Sequence, residues 1–182
     1  MRRRRIAAAM WLVPCYVASV ASAWGGDVGL WYAIPSASFL ATDVDRGTED
    51  DIGASVAVGK HLSTRATVEV KAAGNSLHHH VEGSWQQRSV SLDGLCFSNR
   101  DAPWAFYGVA AAGMMRNRLG ASHSTNPYAE LGGGLVYRFS ARGPAFRSDV
   151  RWRTDRDDKT QPQYNGYTDL VVNVGIAFPI ND

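Results

Sequence analysis

Asp169-Leu-Val-Val-Asn-Val-Gly-Ile-Ala-Phe-Pro179 is the stretch of sequence that decides the fold. Successive side chains of a β-strand point to opposite faces, so every second residue shares a face. One face of this stretch is wholly apolar and comprises Leu170, Val172, Val174, Ile176 and Phe178. The other face is small or polar, with Asp169 and Asn173 among its members. This alternation is typical of a strand that contacts lipid on one side and a polar barrel interior on the other. The stretch therefore predicts a membrane-spanning β-strand.

The N-terminus has the organisation of a secretory signal peptide. Four arginines precede a mostly apolar segment, 6–20, and a small-residue cleavage site ends at Ala23. The alternative is an N-terminal membrane anchor, which Pro14 and the cleavage site both disfavour. We predict a signal peptide over residues 1–23 and one exported domain over residues 24–182. Without the four arginines, 15 of the 19 basic residues remain against 17 acidic ones, so the exported charge is −2.

The exported domain contains eight alternating segments separated by turns. They are residues 28–40, 51–60, 65–76, 85–97, 104–115, 128–140, 145–154 and 169–179. Short connections alternate with long polar ones, and the long ones are predicted at 41–50, 77–84, 116–127 and 155–166. No apolar run after the signal approaches the ~20 residues of a membrane helix. The prediction is an all-β fold, an eight-stranded antiparallel up-and-down transmembrane β-barrel with both termini in the periplasm. A soluble β-sandwich or lipocalin-like barrel is the alternative, because it alternates too.

Three stretches resemble the N-terminal β-barrel domain of the outer-membrane protein A group of Gram-negative bacteria. They are the glycine-rich residues 131–139, the arginine- and acid-alternating residues 146–153, and the terminal residues 173–180. The resemblance implies a cell outer membrane location and a structural or porin-like role in the envelope. It also implies an assembly signal recognised by the barrel assembly machinery during insertion, here Asn173, Gly175, Phe178 and Ile180. Ile180 stands where the family usually has its last aromatic residue.

The non-apolar faces of the strands predict a charged barrel interior. Its members are Glu69, Lys71, Asp93, Glu130, Arg138, Arg147, Asp149, Arg151, Arg153 and Asp169. An eight-stranded barrel is only just wide enough for side chains to fill, so these charges must be paired or hydrogen-bonded. Two interpretations stay open: a plug of fixed ion pairs, and a small gated pore whose ion pairs exchange partners.

The chain is predicted not to be an enzyme, and one alternative opposes this. Outer-membrane lipid A deacylases use a His-x-Ser-Asn sequence, and His123, Thr125 and Asn126 occupy those spacings here. Threonine replaces the nucleophilic serine, and a triad also needs a carboxylate that orients the histidine. The nearest acid in sequence, Glu130, is predicted to face the interior, and His123 is predicted to lie in a loop.

The remaining motifs predict no chemistry. The His78-His79-His80 run is predicted to lie in a solvated loop, because adjacent histidines of an extended chain point to opposite sides. No metal and no cofactor are predicted, and the charge balance predicts no nucleic-acid partner. Outer-membrane lipid and lipopolysaccharide are the expected partners of a monomer. Aromatic residues near the strand ends are predicted to form girdles at the membrane interfaces; they are Trp85, Trp104, Tyr107, Tyr128, Tyr137, Phe139, Trp152, Tyr167 and Phe178.

Overall fold

The chain folds into eight strands that close into a barrel, each antiparallel to its neighbours. The computed structural model describes residues 28–43, 50–79, 83–100, 102–140, 143–155 and 167–180, so the predicted signal peptide lies outside the described residues. The strands are β1 (Trp31–Ala41), β2 (Asp51–His61), β3 (Ala66–His79), β4 (Gly83–Phe97), β5 (Trp104–Leu119), β6 (Ser122–Arg138), β7 (Ala145–Asp155) and β8 (Tyr167–Pro179). The predicted eight-stranded antiparallel barrel is confirmed. In the described ranges, no helix is long and apolar enough to cross a membrane.

The predicted alternation is present in the strands that carried the prediction. In β7, Arg147, Asp149 and Arg151 are buried in the interior, whereas Val150 and Trp152 are exposed on the outer wall. In β8 the apolar face of the deciding stretch also lies on the outer wall. The barrel therefore has the polarity of a membrane protein, with charge inside and hydrocarbon outside.

The two ends of the barrel differ. The turn end carries the three short connections, the start of β1 and the end of β8. The loop end carries the connections β1–β2, β3–β4, β5–β6 and β7–β8. These two names are used below.

Two predicted loops are wrong, and the first is 77–84, where residues 77–79 extend β3 and residues 83–84 begin β4. Residues 116–127 belong mostly to β5 and β6, and only Gly120 and Ala121 connect the two strands. Gly120 has a φ of 58°, the left-handed conformation that glycine adopts without strain. The strands were missed because both of their faces are polar here: Arg116 and Arg118 lie outside, and Asn117 lies inside. An apolar period of two is then absent, although the backbone still pairs.

The barrel wall is consequently of uneven height. Strands β3 to β6 have 14 to 17 residues, whereas the other four have 11 to 13. Pairing of β3 with β2 ends at Gly74, and pairing of β6 with β7 ends at Tyr128. The four long strands therefore continue past their neighbours at the loop end.

Three of the predicted girdle aromatics lie inside the barrel instead. Tyr107, Tyr128 and Tyr167 are buried. Tyr107 pairs across the sheet with Gly134, and Tyr128 pairs with Gly113. A Cβ on Gly134 would lie 2.6 Å from Cζ of Tyr107, so the ring occupies the space that the missing side chain leaves. The glycines of β5 and β6 thus make room for interior tyrosines.

Aromatic side chains of β5, β6 and β8 do form part of a girdle at the turn end. The rings of Trp104 and Tyr137 have centroids 4.4 Å apart, and Phe139 meets Tyr137 edge-on at 5.5 Å. Phe106 and Phe178 are exposed on the outer wall nearby. Such a belt suits a membrane interface, where aromatic rings are favoured.

Candidate functional site in the barrel interior

Eight of the ten predicted interior charges meet in one network. They are the acids Glu69, Asp93, Glu130 and Asp149 and the bases Lys71, Arg147, Arg151 and Arg153. All eight are buried and come from the inward faces of β3, β4, β6 and β7. Four negative and four positive groups give the network no formal charge. Since an unpaired charge in so dry a place is costly, the balance stabilises the interior.

Glu130 of β6 has three cationic partners. Its Oε2 lies 3.0 Å from Nζ of Lys71 and 3.0 Å from Nη1 of Arg151. Its Oε1 accepts a 2.8 Å hydrogen bond from Nε of Arg153. The carboxylate therefore ties β6 to β3 across the lumen and to β7 beside it.

Arg151 has three acidic partners in turn. Its Nε and Nη2 donate to the two carboxylate oxygens of Asp149 at 2.8 and 3.2 Å, a bidentate pair. Its Nη1 also donates to Asp93 of β4. Asn173 donates to Asp149 at 2.7 Å and accepts at 2.7 Å from the hydroxyl of Ser38, which extends the network to β8 and β1.

Nearer the turn end, tyrosines join the charges. Arg147 donates to Glu69 and, at 2.7 Å, to the hydroxyl of Tyr107. That hydroxyl donates in turn to Asp149 at 2.8 Å, and the hydroxyl of Tyr32 donates to Glu69. Tyr107 was missed as an interior residue, because aromatic rings near strand ends also fit a girdle. The period of two along β5 was the available signal, since it places Tyr107 on the face opposite Trp104 and Phe106.

Little open space is left inside the network. A cavity of about 20 Å³ lies between the charged groups and the small side chains of Ser36, Ser55 and Ala57 on β1 and β2. A volume of this size holds about one water molecule. On the turn-end side the lumen is filled by an apolar cluster of Leu95, Phe97, Ala105, Tyr107 and Val109. At the level of the network, the interior formed by the described residues is closed rather than open.

The other two predicted interior charges lie elsewhere. Asp169 is buried towards the loop end, where its Oδ1 accepts a 3.0 Å hydrogen bond from the backbone N–H of Asp43. Arg138 is half-buried on the same face of β6 as Glu130. It ends β6 at the turn end, eight residues from Glu130, or roughly 26 Å along a strand at ~3.3 Å per residue.

The predicted assembly-signal residues divide between the two sides of β8. Asn173 is buried in the network, and Gly175 faces the interior, where a Cβ would lie 2.2 Å from Oγ of Ser36. Phe178 and Ile180 are exposed on the outer wall at the turn end. The first pair thus has a packing role, and only the second pair is accessible from outside.

The predicted histidine motifs are distributed as follows. His123 and Thr125 are exposed on the outer wall of β6, whereas Asn126 and Glu130 are buried inside. Glu130 is thus on the wrong side of the strand to orient the His123 ring, as the sequence predicted. The loop placement was wrong for His123 and also for His78 and His79, which belong to β3; His80 lies outside the described residues.

Comparison with known proteins shows similarity of fold. No family model matches the chain, and no curated protein matches it in sequence. Neisserial surface protein A is similar in structure at a TM-score of 0.69 with 12% identity, over 81% of this chain and 96% of that one. The Pseudomonas aeruginosa outer membrane protein OprG is similar at a TM-score of 0.54 with 13% identity, over 86% of this chain and 98% of that one. The N-terminal β-barrel domain of P. aeruginosa OprF has a TM-score of 0.46 with 19% identity, over 81% of this chain and 97% of that one. The resemblance to outer-membrane eight-stranded barrels is thus confirmed for the fold.

Proposed function

We propose that the protein is an outer-membrane barrel with a structural role, whose lumen is closed at rest and conducts small ions only when its ion pairs exchange. The exterior supports the location. On β5 the outward residues from Trp104 to Met114 are apolar or glycine over ten residue steps. At ~3.3 Å per residue and a tilt of ~40°, these steps span ~25 Å, which is the height of the apolar band of such barrels.

The balanced network of eight buried charges carries the proposal. A soluble barrel or sandwich buries large apolar side chains at its centre, and here the centre is charged. Each acid of the network contacts at least one base, so no charge is left to attract a permeating ion permanently. With the apolar cluster closing the turn end, the resting barrel acts as a plug that stabilises its own wall.

The contacts of Lys71 suggest how the plug could open. Glu130 would keep two arginine partners if Lys71 left it. Glu69 lies two residues from Lys71 on the same face, and its buried Oε2 has no hydrogen-bond partner. Both side chains line the 20 Å³ cavity. A move of the Lys71 ammonium from Glu130 to Glu69 would therefore exchange one ion pair for another and widen the path.

Planar-bilayer conductance of the detergent-folded exported domain tests the proposal. We expect the wild type to be closed for most of the time, with brief small openings. Glu130→Gln should raise the open fraction, because it removes the acceptor that holds Lys71. Lys60→Gln, which removes an outer-wall cation at the turn end, should behave as wild type. If neither wild type nor Glu130→Gln conducts, the gate is refuted and the lumen is only a plug of fixed ion pairs.

We also propose that Phe178 and Ile180 form the part of the assembly signal that the barrel assembly machinery contacts. Both are exposed on the outer wall at the turn end, which in this orientation faces the periplasm, from which the chain is inserted. The inward positions of Asn173 and Gly175 suggest that these two residues act later, in packing of the finished barrel.

A further inference from the structure

A patch of three arginines and one histidine lies on the outer wall of the long strands at the loop end. We call Arg88, Arg116, Arg118 and His123 the basic patch. Arg88 of β4 pairs directly with Arg116 of β5, and Arg118 pairs with His123 of β6. All four are exposed on the outward face. The patch was not predicted from the sequence, because its members come from three strands and Arg116, Arg118 and His123 fall within the predicted loop 116–127.

The patch begins where the apolar band ends. The outward row just below it is Val90, Met114 and Pro127, of which Val90 and Met114 are more than half exposed. The next outward residues up each strand are Arg88, Arg116 and Thr125. In a membrane whose hydrocarbon ends at Met114, the basic patch therefore lies at the height of the headgroups. Its side chains point radially, towards neighbouring lipids rather than into the solvent above the barrel.

Within the described part of the chain, no acid balances the charge of the patch. Residues directly opposite each other in a sheet have Cβ atoms about 5 Å apart, and like charges there repel. Arg88 and Arg116 are such a pair, and among the described residues the four patch members form no ion pair or side-chain hydrogen bond.

Two of the described carboxylates at the loop end accept hydrogen bonds from backbone N–H groups. The side chain of Asp43 accepts from the backbone N–H of Thr168, and that of Asp51 accepts from the N–H of Ser76. A wall whose described residues bring arginines together without an acid is suited to an anion from outside.

We propose that the basic patch binds the phosphate groups of an anionic glycolipid of the outer leaflet. The inference rests on the proposed function, since it needs the barrel to be inserted with its loop end outwards. Guanidinium groups bind phosphate in a bidentate manner, which favours arginine for this ligand. The patch spans three strands at ~4.8 Å spacing, or ~10 Å, which is wide enough for one or two phosphates.

Co-purification of lipid from vesicles tests the proposal. The protein is folded into phosphatidylcholine vesicles that contain a minor fraction of bisphosphorylated lipid A, extracted, and analysed for bound lipid by mass spectrometry. We expect wild type to enrich lipid A over the bulk, and Arg116→Gln/Arg118→Gln to lose most of the enrichment. Each cation near an anionic surface contributes about 1 kcal/mol, so two should change lipid A retention by roughly 10- to 30-fold. Lys60→Gln/Arg65→Gln, which removes two charges at the turn end, should retain lipid A as wild type does.

The lipid itself is then varied. Dephosphorylated lipid A should lose the enrichment, and added inorganic phosphate should compete only weakly, because it lacks the acyl chains that hold lipid A beside the wall. Equal enrichment of phosphorylated and dephosphorylated lipid, or equal loss in both double variants, would overturn the proposal. Failure of the proposed function appears separately, as wild-type protein that does not insert into vesicles and shows no heat-modifiable mobility on a denaturing gel.

Discussion

Removal of the Glu130 carboxylate should destabilise the barrel more than most single substitutions. Glu130 is 3% exposed and contacts three cations at 3.0 Å or less. Glu130→Gln keeps the shape and deletes the charge, so four cations would face three acids in a space that solvent does not screen. Breaking a buried ion pair costs about 3 to 5 kcal/mol, and we expect a loss in this range.

The measurement is equilibrium unfolding in urea from detergent or vesicles, followed by tryptophan fluorescence. With an m-value of about 2 kcal/mol per molar urea, a loss of about 4 kcal/mol lowers the midpoint by about 2 M. The matched control is Arg65→Gln, a charge removal at an exposed turn position, where the midpoint should move by less than about 0.3 M, since surface changes stay within ~0.5 kcal/mol.

A double variant tests whether charge balance is the cause. Lys71→Met/Glu130→Gln leaves three acids and three bases in the network. We expect it to regain at least half of the stability that Glu130→Gln loses, with a coupling energy of about 1 to 3 kcal/mol. A midpoint for Glu130→Gln within 0.5 M of wild type, or strictly additive losses in the double variant, would refute the reasoning, because the charges would then be solvated one by one.

Three further predictions concern the wall of the barrel. Gly134→Ala places a Cβ 2.6 Å from the Tyr107 ring and should cost about 1 to 3 kcal/mol in the same urea assay, whereas Gly108→Ala, with no atom within 4 Å, should cost less than about 0.5 kcal/mol. Leu131→Arg, near the middle of the outer face of β6, should lower the free energy of unfolding in vesicles by about 2 to 4 kcal/mol. Thr125→Arg, at the headgroup level, should lower it by less than about 1 kcal/mol, and equal losses would contradict the proposed membrane position. Phe178→Ala should reduce the folded fraction in the outer membrane of cells several-fold and leave the midpoint of purified protein within about 0.5 M, and unchanged cellular assembly would exclude a signalling role for this ring.

The strands that sequence predicted well are those with chemically different faces. In β7, arginine and aspartate alternate with Val150 and Trp152, so the period of two was visible and the interior side was unambiguous. The hairpin above Met114 was missed for the opposite reason. Its two faces carry Arg116 and Asn117, which a hydrophobic pattern does not distinguish, and only cross-strand pairing defines the strands there.

The pairing inside the lumen could not be predicted from the same patterns. The identity of the charged residues follows from the alternation along each strand, but their partners depend on how the strands are staggered around the barrel. Glu130 and Lys71 are 59 residues apart and lie on non-adjacent strands, so no spacing rule connects them. The same limit applies to Tyr107, whose inward position depends on an empty place at Gly134 of the neighbouring strand.

The arginines of the lumen and those of the basic patch differ in whether acids accompany them. This difference separates a role in stability from a role in recognition. Inside, every arginine of the network meets a carboxylate, because a buried charge without a partner is costly. On the outer wall, Arg88 and Arg116 oppose each other with no acid between them among the described residues, which is tolerable where solvent and anions are present. Unbalanced positive charge at a membrane surface favours the binding of an anion from that membrane. A substitution that removes a charge in the lumen should therefore lower the free energy of unfolding and change lipid selectivity little. A substitution that removes a charge of the basic patch should lower lipid selectivity and change the free energy of unfolding little.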